Sequence, residues 1–161
     1  MIQKIYSDLT TFKNLDFKSG LNILLAEKSP GATDKQTRNR AGKTSLIEVI
    51  DFLMGAECSA SSTLKSESLI NSKFFMDLII KDKNFIIERH GSESKKLNVL
   101  IKEGSKEEKK SFSTKEWRTL LGNIFFKLNE LGNVGVPKKY RPTFRALFPY
   151  FVRRERDGGF L

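Results

Sequence analysis

The clearest pattern of apolar and polar positions lies in residues 21–54. An apolar run from Leu21 to Ala26 is broken only by Asn22, and a polar stretch separates it from an amphipathic segment, Leu46 to Met54. A run without alternation predicts a strand that is buried on both faces within a parallel sheet. The second segment has apolar residues spaced for one helical face, which predicts a helix that ends at Gly55. This region therefore predicts a strand, a loop and a helix in that order.

Shorter patterns predict the other elements of the chain. Apolar runs bounded by turn residues predict strands over 2–6, 12–17, 74–80, 84–89 and 97–102. The last three, with the turn before 106–110, indicate an antiparallel meander rich in lysine. Ser113 or Thr114 begins a predicted helix over about 115–128. Apolar residues from Phe144 to Val152 predict a last helix, interrupted by Pro149.

The loop before the first predicted helix ends in Gly42-Lys43-Thr44. This sequence is typical of a phosphate-binding loop, because the amides and the dipole at a helix start favour an anion. Gly42 would allow close approach of the backbone, and Lys43 would place its ammonium on the β- and γ-phosphates. Thr44 would offer its hydroxyl to Mg²⁺. The predicted nucleotide-binding residues are Asn39, Arg40, Ala41, Gly42, Lys43, Thr44 and Ser45.

The loop differs from the full phosphate-binding pattern at its first glycine, where Thr37 stands. A β-branched residue does not easily adopt positive φ, so this turn has to be built differently. The polar stretch 27–38 is long for a connection between a strand and a helix, and it is either a lid over the nucleotide or a disordered insertion. The alternative without a ligand is a helix start at which Thr44 or Ser45 is merely a cap.

The composition suits one domain with a hydrophobic core, since 39% of the 161 residues are hydrophobic and 30% are charged. Cys58 and His90 are each the only residue of their type, which excludes an intramolecular disulfide and argues against a metal site of histidine and cysteine. No apolar run approaches the length of a membrane span, and no signal peptide is visible. We therefore expect a cytoplasmic protein with no membrane partner.

The net charge of +10 is concentrated in the second half of the chain. Residues 1–80 carry ten Lys/Arg and nine Asp/Glu, whereas residues 81–161 carry nineteen and ten. Such a basic excess favours a polyanionic partner such as DNA, although a solvated lysine-rich surface would give the same count. The residues predicted to contact nucleic acid are Arg141, Arg145, Arg153, Arg154 and Arg156.

Two sequence features together resemble a known family. The phrase Phe17-Lys18-Ser19-Gly20-Leu21-Asn22 and the spacing Asn39-x-x-Gly42-Lys43-Thr44, followed by a helix and a β-rich arm, resemble the N-terminal half of SMC-like ATPase heads. These heads form an ABC-type group that includes RecN and RecF. The resemblance implies an α/β fold, namely the N-terminal lobe of a P-loop NTPase with an antiparallel β-rich arm, present as a partial domain. Residues 1–55 would hold the first strands, the loop and its helix, and residues 56–161 the arm and the later helices.

The resemblance also implies a function. It implies ATP and Mg²⁺ as cofactors, nucleotide-driven dimerisation of heads, a coiled coil beyond the C-terminus, and DNA as the usual partner. The Walker B acid and the signature motif would lie past residue 161, so this stretch would bind ATP without appreciable turnover. Asp77 is the nearest match to a Walker B acid within the chain, and is otherwise a solvent-facing residue of the meander. The family's γ-phosphate-sensing glutamine is missing, since Gln3 and Gln36 are the only glutamines.

Other classes of function are weighed against the ATPase. A non-enzymatic nucleic-acid-binding module with a degenerate phosphate-binding loop would also account for the basic charge. A small P-loop kinase is disfavoured, because no acidic pair that could position a substrate follows the predicted helix. A GTPase is disfavoured because the guanine-reading sequence Asn/Thr-Lys-x-Asp is absent.

Overall fold

The computed structural model describes residues 1–24, 43–59, 62–128, 142–147 and 150. In chain order, the strands and α-helices are β1 (Ile2–Ser7), β2 (Leu15–Asp16), α1 (Lys43–Leu53), β3 (Lys73–Ile80), β4 (Lys83–His90), β5 (Lys96–Glu103), β6 (Lys106–Ser113), α2 (Thr114–Phe126) and α3 (Phe144–Leu147). A short 3₁₀ helix lies at Thr63–Lys65. None of the described helices is long and apolar enough to cross a membrane.

The strands form one six-stranded sheet in the order β2-β1-β3-β4-β5-β6. Every neighbouring pair is antiparallel. The strands β3 to β6 follow one another as hairpins, as the meander pattern predicted, and β1 pairs with the free side of β3. A shift in register between Ile2 and Lys4 introduces a bulge into β1. The first two strands and the later meander therefore form a single sheet.

The predicted α/β fold class is wrong. The described part of the chain is mostly β: an open antiparallel sheet with few helices, and not an α/β lobe of a P-loop NTPase. The run over residues 21–26 was predicted as a buried strand of a parallel sheet. Its described residues, 21–24, form no strand. Leu21, Ile23 and Leu24 are 86%, 70% and 46% exposed. An apolar run is buried only where neighbouring strands and helices cover it, and none of the described strands runs beside this one.

One face of the sheet is buried against α1 and α2. The strands contribute alternate residues to this face, because side chains along a strand point to opposite sides in turn. The buried apolar strand residues are Ile5, Phe74, Met76, Leu78, Phe85, Ile87, Leu97 and Val99. Helix α1 adds Val49, Phe52 and Leu53, and helix α2 adds Trp117 and Leu121. Residues from both predicted parts of the chain, 1–55 and 56–161, belong to this core. The division of the chain at residue 55 stays a prediction.

Helix α2 begins as its sequence predicts. The Ser113 hydroxyl accepts a hydrogen bond from the Glu116 amide at 3.2 Å, and the Glu116 carboxylate accepts one from the Ser113 amide at 2.8 Å. This reciprocal pair is a capping box, which satisfies two amides that have no partner inside the helix. The backbone hydrogen bond from Ser113 lowers the pKa of Glu116. Strand β6 ends at Ser113 and α2 begins at Thr114, so the chain passes from the sheet into the helix without a loop. Trp117 of α2 then packs against Phe85 and Phe112 of the sheet.

Candidate nucleotide-binding site

Helix α1 begins at Lys43, so that Lys43, Thr44 and Ser45 form its first turn. This turn contains no acidic residue, and Ser45 is exposed. The first amides of a helix lack partners within the helix, and the dipole adds positive potential there, so the donor set suits a phosphate group. The other predicted nucleotide-binding residues, Asn39, Arg40, Ala41 and Gly42, lie outside the described residues.

The apolar side of α1 fixes the helix on the sheet. Val49 and Phe52 are 3% and 2% exposed, and the ring of Phe52 meets that of Phe74 edge-on at 6.2 Å between centroids. Leu46 and Ile50 pack against the same core at its margin. The predicted stripe comprised Leu46, Ile47, Ile50, Leu53 and Met54; Leu53 is fully buried as predicted, whereas Val49 and Phe52, which are also buried, were not part of it. Helix α1 is thus packed against β3 and β4 through its apolar side.

The carboxyl end of α1 is held by two buried side chains from other elements. Arg89 of β4 donates from Nη1 to the carbonyl of Phe52, and its guanidinium carbon lies 3.9 Å from the centroid of the Phe52 ring. Trp117 of α2 donates from Nε1 to the carbonyl of Leu53 at 3.0 Å. Both contacts satisfy last-turn carbonyls, and a cation at this end is favoured by the helix dipole.

Arg89 is the structural residue that the sequence analysis missed. It is 1% exposed, and it also donates from Nε to the carbonyl of Ser94 at 3.0 Å and from Nη2 to the same atom. Burial lowers its pKa to about 10, which still leaves it charged at neutral pH. The available signal was its position: Arg89 lies two residues beyond Ile87 and so faces inward in an alternating strand.

The predicted nucleic-acid contact Arg145 binds within the protein. Its Nη1 forms an ion pair with Oδ1 of Asp51 in α1, and its Nη2 lies 3.4 Å from Oδ2 of the same carboxylate. Asp51 is 8% exposed, so its charge is compensated where water is scarce. The other members of the predicted set, Arg141, Arg153, Arg154 and Arg156, lie outside the described residues. A contact between this set and nucleic acid stays a prediction.

Several lysines of the meander lie beside carboxylates. The pairs are Lys73–Glu88 at 3.2 Å, Lys83–Glu103 at 2.8 Å, Lys102–Glu107 at 2.6 Å and Lys110–Glu108 at 2.9 Å. Such half-exposed pairs add little stability. They do place negative charge beside each of these four lysines, so the positive potential of the sheet is lower than a count of its lysines indicates.

Asp77 lies on the face of the sheet opposite to α1. Its neighbours along β3, Phe74, Met76 and Leu78, face the helices, whereas Asp77 accepts a hydrogen bond from the Tyr6 hydroxyl at 3.3 Å. Because the sheet separates Asp77 from the first turn of α1, this carboxylate does not fit the role of a Mg²⁺ ligand there. Among the described residues, no cluster of three or more acidic, histidine or cysteine side chains could hold a metal ion.

We expect the Asp77→Asn variant to be equally stable or slightly more stable at pH 7, by about 0.5 kcal/mol. Burial raises the pKa of Asp77, an effect larger than the opposing ones of the Tyr6 hydrogen bond and the Lys4 charge. The folded state therefore holds the proton more tightly than the unfolded chain, and the wild type gains stability as pH falls through the region just above 3.8. Urea midpoints between pH 4 and 7 measure this gain.

The control for this experiment is Asp82→Asn in the exposed turn between β3 and β4. The amide oxygen introduced by Asp77→Asn would still accept the hydrogen bond from Tyr6, whose pKa burial and the neighbouring Asp77 charge raise to about 12 in the wild type. We expect the acid-side gain in stability to shrink in Asp77→Asn and to persist in Asp82→Asn. An unchanged pH dependence in Asp77→Asn would contradict this account.

Comparison with known proteins gives one relative and no assignment of activity. No family model matches the chain, and no solved structure matches it. The chain is similar to the uncharacterized protein YydD of Bacillus subtilis (strain 168), with 30% identity over 140 residues. The similar region covers 86% of this chain and 22% of YydD, so the chain spans about a fifth of the relative's length. The class that the structure defines is an antiparallel sheet with helices packed on one face.

Proposed function

We propose that the chain binds ATP at the start of α1, as the N-terminal part of an SMC-like ATPase. The observation that carries the proposal is the start of an α-helix at the lysine of Gly42-Lys43-Thr44, with no carboxylate in its first turn. Lys43 would neutralise phosphate charge, Thr44 would hold Mg²⁺, and the amides of residues 40–45 would surround the β-phosphate. Bound Mg²⁺ would supply charge stabilisation to the triphosphate.

The way α1 is held supports this proposal. Precise recognition of a phosphate requires donors on an element that does not move, because a small displacement weakens each hydrogen bond. The far end of α1 is bound by Arg89 and Trp117, and its apolar side is packed on the sheet. The described contacts of α1 thus lie at its carboxyl end and along its apolar side.

The exposed apolar residues before the loop support the idea of a larger assembly. Leu21, Ile23 and Leu24 form a short apolar stretch, and contiguous exposed apolar residues commonly mark an interface. We propose that the remainder of a longer ATPase head covers this stretch. In that protein we expect head–head dimerisation, a coiled coil, DNA as the partner, and a cytoplasmic location.

The test is equilibrium dialysis of labelled ATP with Mg²⁺ against the 161-residue chain. We expect saturable binding that weakens by about 10- to 100-fold in Lys43→Ala, because one charge-assisted contact to phosphate is lost. The matched control is Lys115→Ala, which removes a lysine from the first turn of α2, a helix start without the glycine motif. Absence of saturable binding, or equal losses in the two variants, would reject the proposal.

The competing function is a nucleic-acid-binding module that does not use ATP. It predicts salt-sensitive binding of DNA that is indifferent to ATP and to Lys43→Ala. The ion pairs along the meander weaken this alternative, since they place carboxylates beside four of its lysines. Fluorescence anisotropy with a labelled DNA duplex, with and without ATP, distinguishes the two functions.

A further inference from the structure

Strand β6 forms one edge of the sheet, and none of the described segments pairs with its outer side. It pairs with β5 along its whole length, from Lys106 opposite Glu103 to Ser113 opposite Lys96. An edge of this length presents a row of amides and carbonyls to which another strand can bind. The opposite edge is the strand β2, which has only two residues. The outer side of β6 is therefore the long open edge of the sheet.

The hydrogen bonds to β5 fix which backbone groups of β6 point outward. The Thr114 amide donates to the carbonyl of Lys95 at 3.1 Å, and these two residues continue the register of the two strands. Residues that exchange hydrogen bonds alternate with residues that do not in an antiparallel ladder, so the even-numbered residues of β6 direct their amides toward β5. The amides and carbonyls of Glu107, Lys109 and Ser111 therefore point away from the sheet.

The side chains of β6 alternate between the two faces of the sheet. The rings of Phe112 and Trp117 lie 5.8 Å apart, so the even-numbered side chains of β6, including Glu108 and Lys110, lie on the face that carries α2. Glu108 and Lys110 form an ion pair at 2.9 Å, with 59% and 48% of their side chains exposed. Charges this exposed remain accessible to charges of another molecule.

The charges of β6 favour one register for antiparallel pairing with a second copy of the strand. With Lys109 opposite Lys109 of the other copy, Glu108 lies opposite Lys110, and the two-fold symmetry repeats this attractive pair. Glu107 of the other copy then lies diagonal to Lys109 and offsets the repulsion between the two lysines. With Glu108 at the centre instead, Glu108 meets Glu108 and Lys106 meets Lys110, so that like charges are opposed.

We propose that two copies of this chain associate through antiparallel pairing of β6 with β6, centred on Lys109. Opposite residues of an antiparallel pair share a face, so each Glu108 meets a Lys110 on the face that carries α2. The outward backbone groups match as well: Glu107 exchanges hydrogen bonds with Ser111 of the other copy, and the two Lys109 residues exchange theirs. Charged side chains normally protect an edge strand from pairing, but in this register most of them are complementary.

The test is sedimentation velocity of the 161-residue chain without nucleotide, from about 10 μM to about 1 mM, the range suited to a small interface. We expect the weight-average sedimentation coefficient of the wild type to rise reversibly with concentration. Glu108→Lys and Lys110→Glu should each weaken association by about 10-fold or more, because two attractive pairs become repulsive. The double variant, Glu108→Lys with Lys110→Glu, should restore association, since the opposed charges are exchanged.

Two further variants control for net charge and for the fold. Glu88→Lys makes the same change of charge in β4, where Glu88 pairs with Lys73 at 3.2 Å, and should associate like the wild type. Lys109→Pro removes an outward amide without removing a hydrogen bond to β5, so the sheet should tolerate it while association is lost. Circular dichroism checks that each variant keeps its fold.

Each contrary result overturns the proposal. A wild-type sedimentation coefficient that does not depend on concentration would show that β6 does not pair with itself. Association that persists in both single variants would place the contact elsewhere, for example at the exposed apolar residues 21–24. Loss in both single variants without recovery in the double variant would reject the register. None of these results depends on ATP, so the proposed function is tested separately.

Discussion

Replacement of Arg89 by leucine is expected to lower the free energy of unfolding by about 3 kcal/mol. Leucine fills part of the buried volume but donates no hydrogen bond, so the half-buried carbonyl of Ser94 loses its donor and the carbonyl of Phe52 keeps only the Gly55 amide at 3.0 Å. An acceptor left without a partner away from water costs about 1–3 kcal/mol, and the buried contacts of the guanidinium with the Phe52 ring are lost as well. Removal of the cation also leaves the carboxyl end of α1 without its favourable charge. Urea unfolding, followed by the fluorescence of Trp117, measures the loss, since this is the only tryptophan.

Two further arginine variants sharpen this experiment. Arg89→Lys keeps the charge but replaces a planar fork by a single ammonium, which cannot reach both carbonyls in the same geometry. We expect it to lose more than half as much stability as Arg89→Leu. Arg118→Leu is the control, because Arg118 is partly exposed, with Glu57 at 3.7 Å, and should lose less than about 1 kcal/mol. Equal losses in Arg118→Leu and Arg89→Leu would contradict the special role of Arg89.

Truncation of Trp117 to alanine is expected to lower the free energy of unfolding by about 3–5 kcal/mol. The side chain is fully buried, it packs against Phe85 and Phe112 with centroids 6.3 and 5.8 Å away, and it donates a hydrogen bond to the carbonyl of Leu53. Its loss removes apolar area, opens a cavity and leaves that carbonyl without its indole donor. Circular dichroism during urea unfolding measures the change without relying on tryptophan fluorescence.

A second variant separates the two contributions of Trp117. Trp117→Phe keeps an aromatic ring but removes the indole N–H, so we expect a loss of about 1–2 kcal/mol from the unpaired Leu53 carbonyl and the smaller ring. Phe125→Ala in the same helix is the control, since Phe125 is 40% exposed and should lose less. A loss in Phe125→Ala as large as that in Trp117→Ala would show that α2 is not docked mainly through the indole.

These two side chains matter for function because they hold the helix that carries the proposed site. Arg89 and Trp117 bind consecutive carbonyls at the end of α1, and Gly55, which follows, has φ +88° and lies against the indole. Only a residue without Cβ adopts this conformation readily, and a Cβ here would lie 3.2 Å from Cδ1 of Trp117. The glycine predicted as the C-terminal cap thus allows α2 to approach α1.

The sequence predicted the meander strands and α2 well, because each carries a local signal. Apolar runs bounded by turn residues predicted strands at 74–80, 84–89 and 97–102, and they occur at Lys73–Ile80, Lys83–His90 and Lys96–Glu103. Ser113 or Thr114 was predicted to begin α2, and the structure confirms this with Ser113 as the N-cap. A strand over 12–17 was predicted as well, but only Leu15–Asp16 pairs with a neighbour. A strand needs a partner, and local pattern does not specify one.

The fold class and the intramolecular contacts of single charged residues could not be predicted in this way. The apolar run at Leu21 has the composition of a buried strand, yet what covers an apolar run is decided by distant segments. Arg145 was predicted to contact nucleic acid from its charge and its arginine-rich context, and Arg89 was passed over as part of a strand. Both are bound to α1, by contacts spanning many residues of sequence.

By itself the sequence determined the strands of the meander, the start and the apolar side of α2, the absence of an intramolecular disulfide, and the glycine-lysine-threonine motif at a helix. These properties depend on neighbouring residues, whose spacing sets which side chains share a face. Only the tertiary structure decided the strand order, with β1 beside β3, and the side of the sheet on which Asp77 lies. It also decided that Arg89, Trp117 and Arg145 converge on α1, because such contacts join residues that only folding brings together.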